Sequence, residues 1–284
     1  MVANAVGAPI NGSLLDLNGV LGLRGWEWVF LATGVPAVLT GIAVLFVLPD
    51  GPDAAPFFNA AQRGWLRDAL AEDDRRMVKT EHGNPLAALA DGRVLLLAFT
   101  YVGFPLAAYG LSYWLPTIVR GFGVSNTANG FINVLPWILA GVALWWVPRH
   151  SEATGEKTLH IVVPVFLGAA CLALSAIVPG NALRFALLCV AAACIFCAQP
   201  IYWTLPSSFL RGASAAAGLA VINSVGNLGG FVAQNAVPWI RDSTGSNLAP
   251  MFFLAGCLAF AGVMVLVVQS VLGRRRMEAR AAAE

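Results

Sequence analysis

Charge is scarce in this sequence. Of its 284 residues only 11% are Asp, Glu, Lys or Arg, while 58% are hydrophobic and the mean hydropathy is +0.73. An ordinary soluble domain carries roughly 25% charged residues, so a single water-soluble core is excluded. Carboxylates are missing altogether from seven long apolar blocks: Trp28–Leu48, Val94–Ile118, Ala128–Val147, His160–Val178, Ala182–Leu205, Ala213–Ile240 and Ala249–Leu272. Catalysis by clustered acids, histidines or metal ligands inside these blocks is therefore not expected, and the chain does not read as an enzyme. Strict alternation of apolar and polar residues is also lacking, which argues against a transmembrane barrel. No Walker-type phosphate loop occurs, so ATP is not the expected energy source. The five cysteines, Cys171, Cys189, Cys194, Cys197 and Cys257, all lie within apolar blocks. Cys194 and Cys197 form a lone CxxC without the second pair or nearby His that a zinc or redox centre needs, and no cofactor is expected. A formal charge near +2 gives no footprint for nucleic acid.

What remains is grease in pieces of one length. Each block is long enough, at 1.5 Å per residue, to cross about 30 Å of hydrocarbon as a helix. Backbone amides in lipid must find partners within their own segment, so the blocks are expected to be helices and the fold an all-α, polytopic membrane bundle. Placing the segment Asp50–Arg93 in the cytoplasm leaves only Arg24, Arg120, Arg184 and Arg241 outside, against 13 of the 17 Lys and Arg inside. The positive-inside rule selects that orientation, with a cytoplasmic tail at 274–284. Trp26, Trp28, Trp114, Trp145, Trp146 and Trp239 sit near block ends, where an interfacial aromatic belt is expected. Met1–Leu15 is apolar but only half a span, without a signal peptide's basic start or cleavage site. It reads as the end of a helix begun earlier, so Met1 is expected to be an internal methionine or a misassigned start. The stretch 50–92 holds 13 of the 32 charged residues, and its centre, Ala60 to Lys79, sets Trp65, Leu66, Ala69 and Leu70 among charged residues. Two readings stand side by side: a helix lying on the membrane surface, or a solvated linker between bundles.

The blocks have an order and wording that resemble a known family. RGWEWVF with GVPAVL (Arg24–Leu39), LPDGPDAA (Leu48–Ala55), YGLSYWLPTIV (Tyr109–Val119), RHSEATGEKTLH (Arg149–His160), YWTLPSSFLRGASAAAGLAVINSVGNLGG (Tyr202–Gly230) and WIRDSTGS (Trp239–Ser246) follow one another. Together they are similar to the anion:cation symporter family of the major facilitator superfamily, permeases for phthalate, hydroxyphenylacetate, tartrate, hexuronates and related organic acids. The resemblance implies twelve helices in two six-helix halves, both termini cytoplasmic, around a cavity that opens alternately to each side. In those terms 1–49 is the end of the first half, with partial fifth and sixth helices; 50–92 is the linker; 93–273 is the complete second half.

The resemblance also implies a substrate and a mechanism: uptake of a small organic acid together with a proton or sodium ion, across the inner membrane. Three departures stand out. The first four helices are absent, and with them the charged residues tied to coupling and anion binding, so the missing helices are expected to be needed for function. Ala233, Gln234 and Pro238 replace the usual glycine-proline pattern of the eleventh helix, which is expected to shift its kink. Glu152 and Ala153 stand where Asp and a basic residue are more typical. A membrane remnant that transports nothing and only binds partners is the competing reading.

Polar side chains inside spans are the candidates for substrate contact, because burying one without a partner costs roughly 1 to 3 kcal/mol. Asn223, Asn227, Gly230 and Gln234 recur at i, i+4, i+7 and i+11, one helical stripe that either lines water or bonds neighbouring helices. Gln199, Tyr202, Trp203 and Pro206 share another face, suited to an organic acid with a ring or hydroxylated chain. Tyr101 and Tyr109 lie two turns apart near Pro105, with Tyr113 expected at the interface. Asn133 precedes Pro136 by three residues, where its amide can serve substrate or a backbone group freed by the proline. The pair Gly226 and Gly230 allows close helix approach. Finally, Arg149, Glu152, Glu156 and Lys157 fall in one short connection, which by resemblance is the second-half copy of a gating loop that locks helices through charge pairs; an ordinary polar loop is the alternative.

Overall fold

A computed structural model describes the backbone of residues 1–78, 91–210, 212–246 and 248–281, with side chains throughout except at 73–78, 208, 212–214 and 272–281. Arg75, Arg76, Lys79, Arg211 and the tail arginines Arg274, Arg275, Arg276 and Arg280, which entered the charge count above, therefore lie outside the described side chains. Every regular element among the described residues is helical: α1 (Val2–Leu15), α2 (Gly25–Val47), α3 (Ala60–Val78), α4 (Gly92–Arg120), α5 (Asn126–Ile132), α6 (Val134–Thr154), α7 (Thr158–Ile177), α8 (Asn181–Tyr202), α9 (Gly212–Thr244) and α10 (Leu248–Ala281). Among the described residues seven stretches are long and apolar enough to span a membrane, with α5 and α6 together making one of them.

The chain is an all-α membrane helix bundle organised around α4, whose flanks are covered by α9, α10 and α8. From there the packing continues from α10 to α7, from α7 to α8 and from α8 to α6. Small residues let these helices meet. A Cβ added at Gly103 would meet Ala261 of α10 at 2.6 Å, and one at Gly168 would meet Cys194 of α8 at 3.1 Å. At Gly229 an added Cβ would collide with the carbonyl of Val102. Lipid tails are as apolar as leucine, so close van der Waals contact of this kind must supply the attraction between spans.

Helix ends follow local chemistry. Asp91 caps α4 by accepting from the Arg93 amide at 2.8 Å, and Ser125 caps α5 by accepting from Ala128 at 3.1 Å. Gly155 closes α6 at φ +68, a left-handed turn that glycine enters without steric cost. The surface-helix stretch forms α3, with Trp65 72% exposed and Arg67 paired to Asp53 at 2.6 Å.

Two local expectations need correction. The block Ala128–Val147 is interrupted at Asn133 and then runs on to Thr154, so Arg149 and Glu152 ride the last turns of α6. Only Gly155, Glu156 and Lys157 form the connection to α7. Trp114 is 2% exposed and belongs to the interior, whereas Trp26, Trp145, Trp146 and Trp239 are exposed as a belt would be. Pro238 lies inside α9, which runs on to Thr244.

Candidate functional site

A cavity of about 300 Å³ opens where α4, α8 and α9 face the start of α1. Its walls are Asn4, Tyr101, Pro105, Ala108, Tyr109, Ser112, Phe196, Gln199 and Asn227. Four residues singled out by their helical faces, Tyr101, Tyr109, Gln199 and Asn227, thus come together from three different helices. Asn4 was not foreseen, although with Asn11 it recurs at i and i+7 in the half-length apolar segment, a spacing that puts both amides on one helical face.

Tyr101 is the centre of the polar arrangement. Nε2 of Gln199 donates to its phenol oxygen at 3.0 Å, and the indole Nε1 of Trp203 donates to the same oxygen at 3.2 Å. Both lone pairs are then engaged, which leaves the phenol proton for an acceptor in the cavity. The ring is held by Tyr202 stacked at 5.4 Å and Trp203 edge-on at 4.7 Å. Such aromatic pairs add roughly 0.5 to 1.5 kcal/mol beyond area burial.

Glycines of α9 seat the two tyrosines. A Cβ on Gly226 would collide with Cδ1 of Tyr101, and one on Gly230 would collide with Cδ2 of Tyr109. The Gly226 and Gly230 pair therefore does more than bring backbones together: it shapes the notches in which the cavity's two phenol rings lie.

The other candidates have different positions. Tyr202 is fully buried and its hydroxyl donates to the Leu97 carbonyl, placing it behind the cavity wall. Asn223 is exposed one turn from the cavity and holds Asn227, whose Nδ2 donates to the Asn223 side chain at 2.8 Å and to its carbonyl at 2.9 Å. Asn133 is buried away from the cavity, its Nδ2 donating to the backbone and side chain of Asn129, while its Oδ1 has no partner. The carbonyl freed by Pro136 is that of Ile132, so Asn133 does not fill the backbone role considered for it.

Both ends of the bundle carry polar clusters. Beyond the end of α1, Asp16 accepts from Nδ2 of Asn126 at 2.8 Å and from the amide and hydroxyl of Thr127 at 2.9 and 2.6 Å. The Thr127 hydroxyl and amide and the Asn126 side chain together hold this carboxyl below its usual range. Nearby, Gly12 and Gly130 let α1 and α5 cross closely; a Cβ on Gly130 would stand 2.5 Å from the Ala8 carbonyl. At the opposite end, Glu156 accepts from the Leu159 amide at 2.9 Å and faces Nδ1 of His160 at 3.1 Å. Partial burial alone would raise its pKa, but the hydrogen bonds from the Leu159 amide and His160 outweigh it and hold the carboxyl low. His160 in turn meets His150 at 2.7 Å. Arg149 lies over Trp145 at 4.5 Å and donates to its carbonyl at 2.9 Å. Among the described residues Arg149, Glu152 and Lys157 make no ion pair, so this segment's charge contact is the internal one between Glu156 and His160.

Known proteins match the chain over most of its length. Residues 1–234 match the family model of the Major Facilitator Superfamily. A "Quinolone resistance transporter" of Acinetobacter baumannii is 38% identical over 278 residues, covering 98% of this chain and 64% of that protein. A "Putative tartrate transporter" of Agrobacterium vitis is 40% identical over 267 residues, covering 94% of this chain and 61% of the relative. The "Inner membrane transport protein RhmT" of Escherichia coli is 33% identical over 268 residues, with 93% and 60% covered. The chain thus spans about three fifths of the length of these curated relatives.

Proposed function

The chain belongs to the major facilitator superfamily, and from that premise we propose that it forms the later part of a secondary transporter for small organic acids, of the anion:cation symporter type. Import of a carboxylate with a proton or sodium ion, by rocking of two helix bundles around a midplane site, is the mechanism this reading carries. The observation behind it is the cavity at Tyr101, whose phenol oxygen accepts from Gln199 and Trp203 and so keeps its own proton to donate, in a wall of amides and aromatic rings. A carboxylate is the complementary acceptor. The relative named for tartrate supports the same reading, since tartrate carries carboxylates.

Among the described residues no Lys, Arg, Asp or Glu lines the cavity. A carboxylate buried without a cation is expensive, so its countercharge is proposed to come from helices ahead of Met1 in a full-length transporter. On the same reading 1–49 completes the first half, 50–92 joins the halves, and 93–273 is the second half with Arg149, Glu152, Glu156 and Lys157 at its gate. The 13 to 4 charge asymmetry supports a cytoplasmic linker and a cytoplasmic 274–284 tail.

The test is uptake of labelled tartrate and a panel of aromatic and sugar acids into vesicles carrying this chain fused behind the first helices of the Agrobacterium relative. Uptake should require a proton or sodium gradient. Removing one hydroxyl with Tyr101→Phe should lower it at least roughly tenfold, since a hydrogen bond to a charged group contributes roughly 1.5 to 3 kcal/mol and each 1.4 kcal/mol or so is a factor of ten. A fusion that reaches the membrane yet takes up none of these acids would remove the proposal.

A further inference from the structure

A second cavity, of about 360 Å³, lies at the other end of α4 from the linker. The end of α4 gives Trp114 and Thr117, α7 gives Ser175, the start of α8 gives Arg184, the end of α9 gives Arg241, and α10 gives Met251. It does not continue the first cavity. Trp114 and Tyr109 are five residues apart, about 140° around the helix, so the two cavities occupy different faces of α4.

Two guanidinium groups share this space, and neither has a carboxylate partner among the described residues. Arg184 donates Nε to the Ser175 carbonyl at 3.1 Å and Nη2 to the Val178 carbonyl at 3.5 Å, which closes the end of α7 and leaves its Nη1 donors unengaged. Arg241 lies over the Trp114 ring at 5.3 Å, a contact made through the ring face that leaves its edge donors unengaged. Asp242 is exposed and forms no ion pair with either. Arg120, at the same end, adds a further positive charge and donates to Asn126 at 3.2 Å. Like charges gathered on a partly enclosed wall repel, and an anion that accepts from both forks removes the repulsion.

We infer that this cavity is an oxyanion-binding site separate from the transport cavity. Its ligand chemistry is a carboxylate or phosphate group held between Arg184 and Arg241, and it has two possible sources: a dissolved organic acid, or the headgroup phosphate of an anionic lipid.

The test reads the arginines themselves. The purified 284-residue chain in uncharged detergent is treated with phenylglyoxal, and adducts are counted by peptide mass spectrometry. At roughly ten times its dissociation constant, succinate should slow modification of Arg184 and Arg241 about tenfold by mass action, relative to chloride at equal ionic strength. Arg149 should react at an unchanged rate. Protection by phosphatidylglycerol vesicles over phosphatidylcholine vesicles, with none by succinate, would support the site and assign the lipid source. Arg241→Gln, an exposed position that leaves the α7 closure intact, should abolish protection of Arg184. Tyr101→Phe should leave protection intact, so failure here and failure of the transport cavity give different results. No protection by either anion, or protection that survives Arg241→Gln, would overturn the inference.

Discussion

Gly226 carries a residue-scale prediction because its missing side chain is what admits Tyr101. Alanine there places a methyl group against Cδ1 of the ring, and ring and backbone cannot both stay. Overpacking of this kind costs roughly 1 to 3 kcal/mol. The ring is the softer partner, so Gly226→Ala should pull the phenol away from Gln199 and Trp203 and lower carboxylate uptake at least as much as Tyr101→Phe does. Gly256, whose added Cβ would meet nothing within 4 Å, supplies the control: Gly256→Ala should leave uptake unchanged. If both alanine variants transported like the parent chain, the seating argument would fall. The sequence showed Tyr101 and Gln199 as polar residues on apolar helices, and that much follows from composition. It did not separate Tyr202, which shares the Gln199 face, because burial depends on which neighbour offers a carbonyl. Leu97 does, one helix away.

Contacts between elements depend on the crossing of α1 and α5, and Asp16 makes that crossing titratable. Its carboxylate caps the exposed first amides of a helix other than its own, a position where the helix dipole favours negative charge. The groups around it are Asn126, Thr127 and, through Asn126, Arg120. Since its folded-state pKa is lowered from 3.8, the contact is fully present above that value and is lost as pH falls through the lower one. Asp16→Asn should therefore reduce the melting temperature by a constant amount at neutral and mildly acidic pH, and the gap from the parent chain should close below 3.8. A gap that instead widened on acidification would contradict the assignment. No sequence pattern announces this contact, since Asp16 and Thr127 lie 111 positions apart and each looks like an ordinary loop residue. The break at Asn133, by contrast, was half visible in the nearby Pro136, although the extra turns of α6 that lift Arg149 and Glu152 out of the connection were not.

For the whole molecule, the seven apolar runs and the all-α class were legible because hydrocarbon thickness and backbone hydrogen bonding leave no other choice. What runs of hydropathy cannot give is which face of each run meets protein. The most apolar stretch of α4 is 72% buried, whereas that of α2 has nothing buried against the rest of the chain. Orientation is the property that joins these levels, since it decides which cavity meets the cell exterior. The native cysteines make it measurable: four are buried and the fifth, Cys257, is half-buried inside α10, so a membrane-impermeant maleimide should leave them unlabelled. Ala54 and Ala182 are exposed positions on opposite ends of the bundle, in the linker and at the start of α8. With the linker cytoplasmic, Ala182→Cys should label in intact cells and Ala54→Cys only after the membrane is opened. That outcome would set the Arg184 and Arg241 cavity facing the medium, where a dissolved acid reaches it first. The inverse labelling would turn the bundle over, place 13 of 17 basic residues outside against the positive-inside rule, and make a cytoplasmic anion the one that meets those arginines.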